Sequence, residues 1–312
     1  MSTTMSPERR RVVAQAPGKI NLSLHVGAVD HRGYHALATV FQAVDLMETV
    51  TAQAADDLHL TVTSHVDGDV PTDGTNLALR AARLLQQEHR ITAGAALHID
   101  KTVPVAGGMG GGSADAAAAL VALNRLWELD LEPAALRELG GRLGADVPFA
   151  LTGHTALGRG NGDDLSPLLV TGEWHWVLAV PGGHLSTPEV YRTHDELVRQ
   201  AGREPAAVPE PDDRQVQALR SADVALLGET LHNDLQAAAF HLRPGLAPVC
   251  ELAEGSGAYG ALVSGSGPTI AVLAGDADHA AQLAALLRAE GVAQQCLTTT
   301  GSAPGARVIS EE

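Results

Sequence analysis

Between Pro104 and Leu120 the chain reads PVAGGMGGGSADAAAAL, with five glycines among the six residues from Gly107 to Gly112 and a helix-forming run directly behind them. Glycine lets a backbone take positive φ and approach a ligand closely. A helix starting near Ser113 would turn unpaired N–H groups and the positive end of its dipole toward an anion. The chemistry this predicts is phosphate binding, with a nucleotide as the natural ligand. A flexible linker is the alternative, but the residues that follow, AAAALVALNRLW, form a strong helix with an apolar face where a linker would continue polar. The loop is not a P-loop, because no lysine precedes Ser113 in the G-x-x-x-x-G-K-[ST] register. It is not a dinucleotide fingerprint either, since Ser113 stands where a third glycine should follow Gly108 and Gly110.

The missing lysine directs attention to the chain's other cations. Only two of 21 basic residues are lysines: Lys19, in AQAPGKINLSLHV, and Lys101, three residues before Pro104. Lysine is a compact charge with a tunable pKa, whereas arginine is a rigid fork that stays protonated. A lysine kept in a chain that otherwise uses arginine therefore points to work at a phosphate, Lys19 above all; Lys101 could equally be a solvated strand end. In a chain only 3% aromatic, Tyr34 beside His35 in a glycine-containing loop, and Tyr191, stand out as base-stacking groups.

Several elements must position these residues. Alternation predicts strands over 12–16 and 20–26, broken at Pro17-Gly18, then over 39–44, 49–52 and 58–64. Helical spacing covers 76–90, a strand over 95–103 leads into the glycine loop, and two helices follow, the second over 133–143 with proline in its first turn. Strands cover 155–169 and 174–180. GREPAAVPEPDDR at 202–214 reads as a mobile connection. Beyond it come helical runs at 215–227, 235–240 and 246–253, two strands around a Gly-Ser-Gly turn, a helix over 277–290 and a last strand near 292–298. The pattern mixes strands and helices without strict βαβ repeats.

Composition bounds the reading. A chain of 312 residues is long enough for two lobes. A net charge of −16 argues against nucleic acid or an anionic membrane as the principal partner. The N-terminal MSTTMSPERR has no apolar signal core, and Cys250 and Cys296 stand in no metal spacing, which together predict a reduced, cytoplasmic protein.

APGKINLSLHV, PVAGGMGGGSADAA and VSGSGPTIAVL, in this order, resemble the three motifs of the GHMP kinases, a superfamily of small-molecule kinases. RGYH at 32–35, LNRLW at 123–127, LGADVPF at 143–149, STPEVY at 186–191 and NDL at 233–235 are similar to the branch that phosphorylates the 2-hydroxyl of 4-diphosphocytidyl-2-C-methyl-D-erythritol on the methylerythritol phosphate route to isoprenoids. The resemblance runs from Ala16 to Leu273. It implies an α+β, two-lobed fold: a mixed-sheet N-terminal lobe (1–165) with the phosphate loop, an α/β C-terminal lobe (166–312), and the active site in the cleft between them.

It also implies roles. ATP, with Mg2+, would be held by Pro104, Val105, Ala106, Gly107, Gly108, Met109, Gly110, Gly111, Gly112, Ser113 and Ala114. Asp146 would accept the hydroxyl proton, with Lys19 paired to it; without the family, Asp146 reads as a turn or capping acid. Tyr34 and Tyr191 would sandwich the cytosine, His35 would hydrogen-bond its edge, and Asn21 and Thr187 would meet the methylerythritol part. Asp115 would cap the helix or reach Mg2+ through water. The third motif, Ser264 to Thr269, would pack on the phosphate loop or simply close a tight hairpin. A small-molecule substrate is the partner expected, with no nucleic acid, membrane or obligate protein partner.

Overall fold

The structure is a computed structural model that describes residues 10–31 and 33–312. Arg32 of the RGYH segment and the leader reading at 1–9 lie outside the described residues. Strands β1 (Arg11–Val29) and β2 (His35–Ala55) form one long antiparallel hairpin. Pro17 does not break it. Its missing N–H is absorbed by a bulge in which Pro17 faces Met47 and Gly18 faces Val44, leaving Asp45 and Leu46 as the extra residues. For the same reason the two short strands expected over 39–52 are one.

Strand β2 organises the sheet. Its outer half, from Thr49 to Ala55, pairs with β4 (Gly94–Lys101), which pairs in parallel with β3 (Leu58–Ser64). Its inner half, from Leu37 to Gln42, pairs with β5 (Thr155–Gly160), and β5 pairs with β6 (Asp164–Pro167). Against this part lie α1 (Leu77–His89), α2 (Gly111–Leu126), α3 (Pro133–Gly141) and α4 (Val147–Thr152). Asn76 caps α1 by accepting from the Ala78 N–H at 2.8 Å.

The second half carries β7 (Trp174–Val180), α5 (Thr187–Gln200), α6 (Asp213–Ser221), α7 (Val224–Thr230), β8 (His232–Asn233), α8 (Gln236–Leu242) and α9 (Ala247–Gly255). It ends with β9 (Gly260–Val263), β10 (Ile270–Ala274), α10 (Ala277–Ala289), β11 (Gln295–Gly301) and β12 (Arg307–Glu311). The sheet order β12-β1-β2-β11-β7-β10-β9 makes the sheet continuous between the halves, and the last strand returns to pair with the first. The helical run expected over 215–227 is two helices, because Ala222 turns left-handed at φ 55 and Asp223 starts α7 by accepting from the Leu226 N–H. Helices α4 and α5 and strand β12 were not read from the sequence. Among the described residues no helix is long and apolar enough to cross a membrane.

Helix α2 is the element that carries the glycine loop. Every alanine from Ala116 to Ala119 is fully buried between α1, α4 and the β1–β2 hairpin. Small side chains let the backbone come close to the sheet, so the helix that carries the loop is held by packing on nearly all sides. Replacing Ala117 by Leu forces three carbons into this space. The expected loss is about 1–3 kcal/mol in urea unfolding, where a surface helix would show almost none.

Candidate active site

The glycine loop is the turn between β4 and α2. Gly108 and Gly110 have φ of 77° and 69°, the left-handed region that glycine tolerates. Gly110 occupies the N-cap, so α2 starts at Gly111, two residues earlier than expected, and no side chain caps it. The Ala114 N–H to Gly110 carbonyl bond opens the helical ladder. The N–H groups of Gly111, Gly112 and Ser113 precede that ladder, at the positive end of the helix.

The third motif packs on this loop. Ser264 Oγ donates to the Gly108 carbonyl at 3.3 Å, and the Thr269 N–H donates to the Gly107 carbonyl at 3.3 Å. A methyl group added at Gly108 would sit 2.1 Å from the Ser264 carbonyl, so only glycine allows the approach. Asn233, which sequence reasoning placed only within NDL, holds the motif from behind. Its amide donates to the Val263 and Gly265 carbonyls at 2.7 and 2.8 Å.

Two cavities meet at the loop. The first, about 340 Å³, is lined by residues 104–113 without a break, together with Val70, Asn76, Lys101 and Asp115. Ala114, also expected to bind nucleotide, faces the core and is fully buried. The second cavity, about 390 Å³, is lined by Lys19, Asn21, Thr39, Phe41, Asp146, Thr187, Tyr191 and Ser266. Gly108, Gly110 and Ser113 line both. A larger cavity of about 800 Å³ lies at the other end of α2, around Trp127 and Arg90, and holds none of the residues expected to bind ATP or the acceptor.

Lys19 and Asp146 face each other in the second cavity, with Nζ 3.7 Å from Oδ2. Asp146 occupies the N-cap position of α4, yet its side chain makes no capping hydrogen bond, so its carboxylate is not spent on the helix. Lys19 is oriented by a chain of hydrogen bonds along β1 and β2. Its Nζ donates to Asn21 Oδ1 (2.8 Å), Asn21 Nδ2 donates to Thr39 Oγ1 (2.7 Å), and Thr39 donates to the Ser23 carbonyl (2.7 Å). Nζ also lies 5.4 Å from the centre of the Phe41 ring. Thr39 and Phe41 were missed, since only the pairing of β1 with β2 brings them beside Lys19.

The other expected residues gather less evenly. Tyr191, on the first turns of α5, lines the second cavity, and its ring lies 5.0 Å from that of His35. Burial, reinforced by Asp146, raises the Tyr191 pKa well above its ordinary value, so the phenol keeps its proton. His35 Nε2 is 2.8 Å from Asp195 Oδ1, which fixes the ring. Thr187 Oγ1 shares a hydrogen bond with Ser266 Oγ at 2.8 Å. Tyr34 stands in the turn between β1 and β2, 60% exposed and outside the cavity lining.

Asp115 and Lys101 are buried together beneath the loop. Lys101 Nζ lies 2.7 Å from Asp115 Oδ2 and 2.6 Å from Glu48 Oε1, and all three side chains are almost wholly enclosed. Two readings are thereby corrected. Lys101 is no solvated strand end, and Asp115 does not cap α2: with the helix starting at Gly111, Asp115 falls past the first turn and faces inward. Glu48 escaped the sequence reading altogether, for nothing local marks it. One cation between two buried acids leaves an excess negative charge. Burial accordingly holds the Glu48 carboxyl up at about 7, against 4.5 for an exposed one, although Lys101 pulls it down. Burial also raises Asp115.

The folded protein therefore binds the Glu48 proton more tightly than the unfolded chain does. The stability this contributes is complete below pH 4.5 and is lost as pH rises through about 7. Wild-type Tm should fall over that interval, and Glu48→Gln should flatten the slope whatever its absolute Tm. Calorimetry at stepped pH checks this; parallel profiles would remove Glu48 as the titrating group.

The chain matches two family models, GHMP kinases N terminal domain over residues 76–154 and GHMP kinases C terminal over 215–293. A protein of Leifsonia xyli subsp. xyli named 4-diphosphocytidyl-2-C-methyl-D-erythritol kinase is 52% identical over 96% of this chain and 99% of its own. One of the same name from Thermobifida fusca is 48% identical over 96% and 98%. A crystal structure of 4-(cytidine 5'-diphospho)-2C-methyl-D-erythritol kinase superposes with a TM-score of 0.75 at 34% identity, over 93% of this chain and 99% of that one. A homoserine kinase from Cytophaga hutchinsonii, 22% identical with a TM-score of 0.73, shares the fold. Since about half the residues are identical across nearly the whole of both chains, this chain belongs to the GHMP kinases and, among them, to the family of 4-diphosphocytidyl-2-C-methyl-D-erythritol kinases, ATP-dependent phosphotransferases with an alcohol acceptor.

Proposed function

We propose that the chain transfers the terminal phosphoryl group of ATP to the 2-hydroxyl of 4-diphosphocytidyl-2-C-methyl-D-erythritol, with ATP in the cavity over residues 104–113 and the acceptor in the cavity of Lys19 and Asp146. The observation that carries this reading is the meeting of the two cavities at Gly108, Gly110 and Ser113, with a lysine–carboxylate pair on the far side of the seam. Phosphoryl transfer needs donor and acceptor oxygens in line, charge neutralisation and a group to take the hydroxyl proton.

Asp146 takes that proton, and Lys19 holds both the carboxylate and the attacking oxygen. A loose transition state asks little basicity of the carboxylate until late in the transfer. The Asn21–Thr39 chain keeps Nζ from swinging away, while the N–H groups at the start of α2 receive the phosphates. Tyr191 and His35 offer a stacking face and a polar edge to the cytosine, with Tyr34 at the rim; Asn21 and Thr187 face the methylerythritol part. Ser113 lines both cavities, and Asp115 Oδ1 is buried beside the first with no hydrogen-bond partner among the described residues. These hard oxygens fit Mg2+. When bound, the ion supplies charge neutralisation on the triphosphate. Cys250 and Cys296, both buried and unpaired, support placement in the reducing cytoplasm.

A coupled ADP-release assay against the cytidine-diphospho substrate, homoserine and mevalonate tests the assignment. Turnover of the first alone is expected; turnover of either of the others alone would refute it. In the same assay Asp146→Asn should lower kcat by two or more powers of ten with ATP binding retained, and an unchanged kcat would take the proton-accepting role from Asp146. For the base subsite, Tyr191→Phe should leave KM within about threefold while Tyr191→Ala raises it at least about tenfold, the order of one lost base stack. Equal KM values for the two variants would place the cytosine elsewhere.

A further inference from the structure

Three groups with metal-binding donors come together on the side of β1 turned away from the acceptor. His25 follows Leu24, which lines the acceptor cavity, and strand alternation turns the imidazole to the opposite face. His232 and Asp234 come from β8 and the residue just beyond it, and β8 pairs in parallel with β1 through Ser23 and Leu24. Donor atoms of the three residues lie within 4.8 Å of one another. The two imidazoles stack with centroids 4.7 Å apart and planes 17° apart. His232 Nε2 is 2.8 Å from Asp234 Oδ1, and Asp234 Oδ2 accepts the Val26 N–H at 2.7 Å, which anchors the carboxylate.

His25 Nε2 is the atom that asks for a ligand. It is buried and has no hydrogen-bond partner among the described residues. A buried polar atom left unpaired is costly. Burial, with His232 adding to it, lowers the His25 pKa, so the ring is neutral at physiological pH and its lone pair is available.

We propose that His25, His232 and Asp234 bind one divalent transition-metal ion of the zinc class, at a site separate from the two substrate cavities. Two imidazoles and one carboxylate form a three-ligand set that leaves a fourth position open. That set favours zinc over magnesium, which prefers oxygen ligands, so the kinase's own divalent ion does not compete. Three atoms no more than 4.8 Å apart share a centre within about 2.8 Å of each, and a shift of under about 1 Å per side chain reaches the usual Zn–N distance of about 2.0–2.1 Å. A cavity of about 330 Å³, lined by His25, His194, Asp234, Arg203, Glu204 and Glu210, leaves room for a water in the open position. The ion would tie β1 to β8 on either side of Asn233, the residue that holds the Gly265 turn, and so brace the wall behind the acceptor.

The test uses the tag-free protein, stripped with chelator and dialysed against Zn2+ or Co2+, with elemental analysis for stoichiometry and the Co2+ d–d spectrum for the ligand set. Wild type should hold one ion per chain with excess Mg2+ present. His25→Ala and His232→Ala should each weaken binding at least about 100-fold, the upper end of what losing a mere outer-shell partner does, and each should abolish the rise in Tm that Zn2+ produces. His232 is exposed, so its replacement leaves the fold intact, which unchanged Mg2+-supported kinase activity would show. No ion on wild type, or equal stoichiometry and the same Co2+ spectrum in wild type and both variants, overturns the proposal.

Discussion

The approach of two glycine turns, the phosphate loop and the Ser264–Gly267 turn, is the constraint on which the rest of the structure depends. At Gly108 the backbones come so close that a single added methyl group would overlap the Ser264 carbonyl. That contact joins the carrier of the phosphate loop, α2, to the turn between β9 and β10. The continuous sheet beneath, the anchoring of the turn by Asn233 and the burial of α2 on nearly every face all serve to hold it. A loop of glycines left to itself would be mobile; here its conformation is dictated by what it touches.

Electrostatics at the loop are divided between the two lysines. A methyl group at Gly110 would touch the Lys19 stem, and one at the adjacent Gly111 would lie 3.0 Å from Lys101 Nζ. Successive glycines thus admit one cation from the acceptor side and another from below. Lys19 is balanced by a single carboxylate and lines an open cavity. Lys101 is enclosed with two acids and contributes no net positive charge to its surroundings when both are ionised. In the proposed function, attraction for phosphate in a chain of net charge −16 comes from the α2 terminus and Lys19, with the Glu48 proton tempering the repulsion beneath.

Local patterns were legible where local physics decides. The alternation around Ile20 to Val26, the helical spacing of α1, the proline opening α3 and the alanine run of α2 all appear as read. Where context overrides local pattern, the reading slipped. Pro17-Gly18 looked like a break because a bulge on the partner strand cannot be seen from one strand alone. Helix α5 begins within a proline-containing stretch whose apolar spacing is thin, and β12 is a mostly exposed strand defined by its pairing with β1.

The same division holds for the site. The amino-acid sequence by itself determined the glycine-rich loop, the absence of a P-loop lysine, the scarcity of lysine that singled out Lys19, and the order of motifs that marks a GHMP kinase. These are properties of residue type and spacing, which a linear chain carries in full. Only the tertiary structure decided that Lys101 is enclosed between Asp115 and Glu48, that Asp146 stays free of its helix, and that Thr39 and Asn21 aim Lys19. Each depends on groups far apart in sequence, and the energy of a buried charge is set by the neighbours that replace its water.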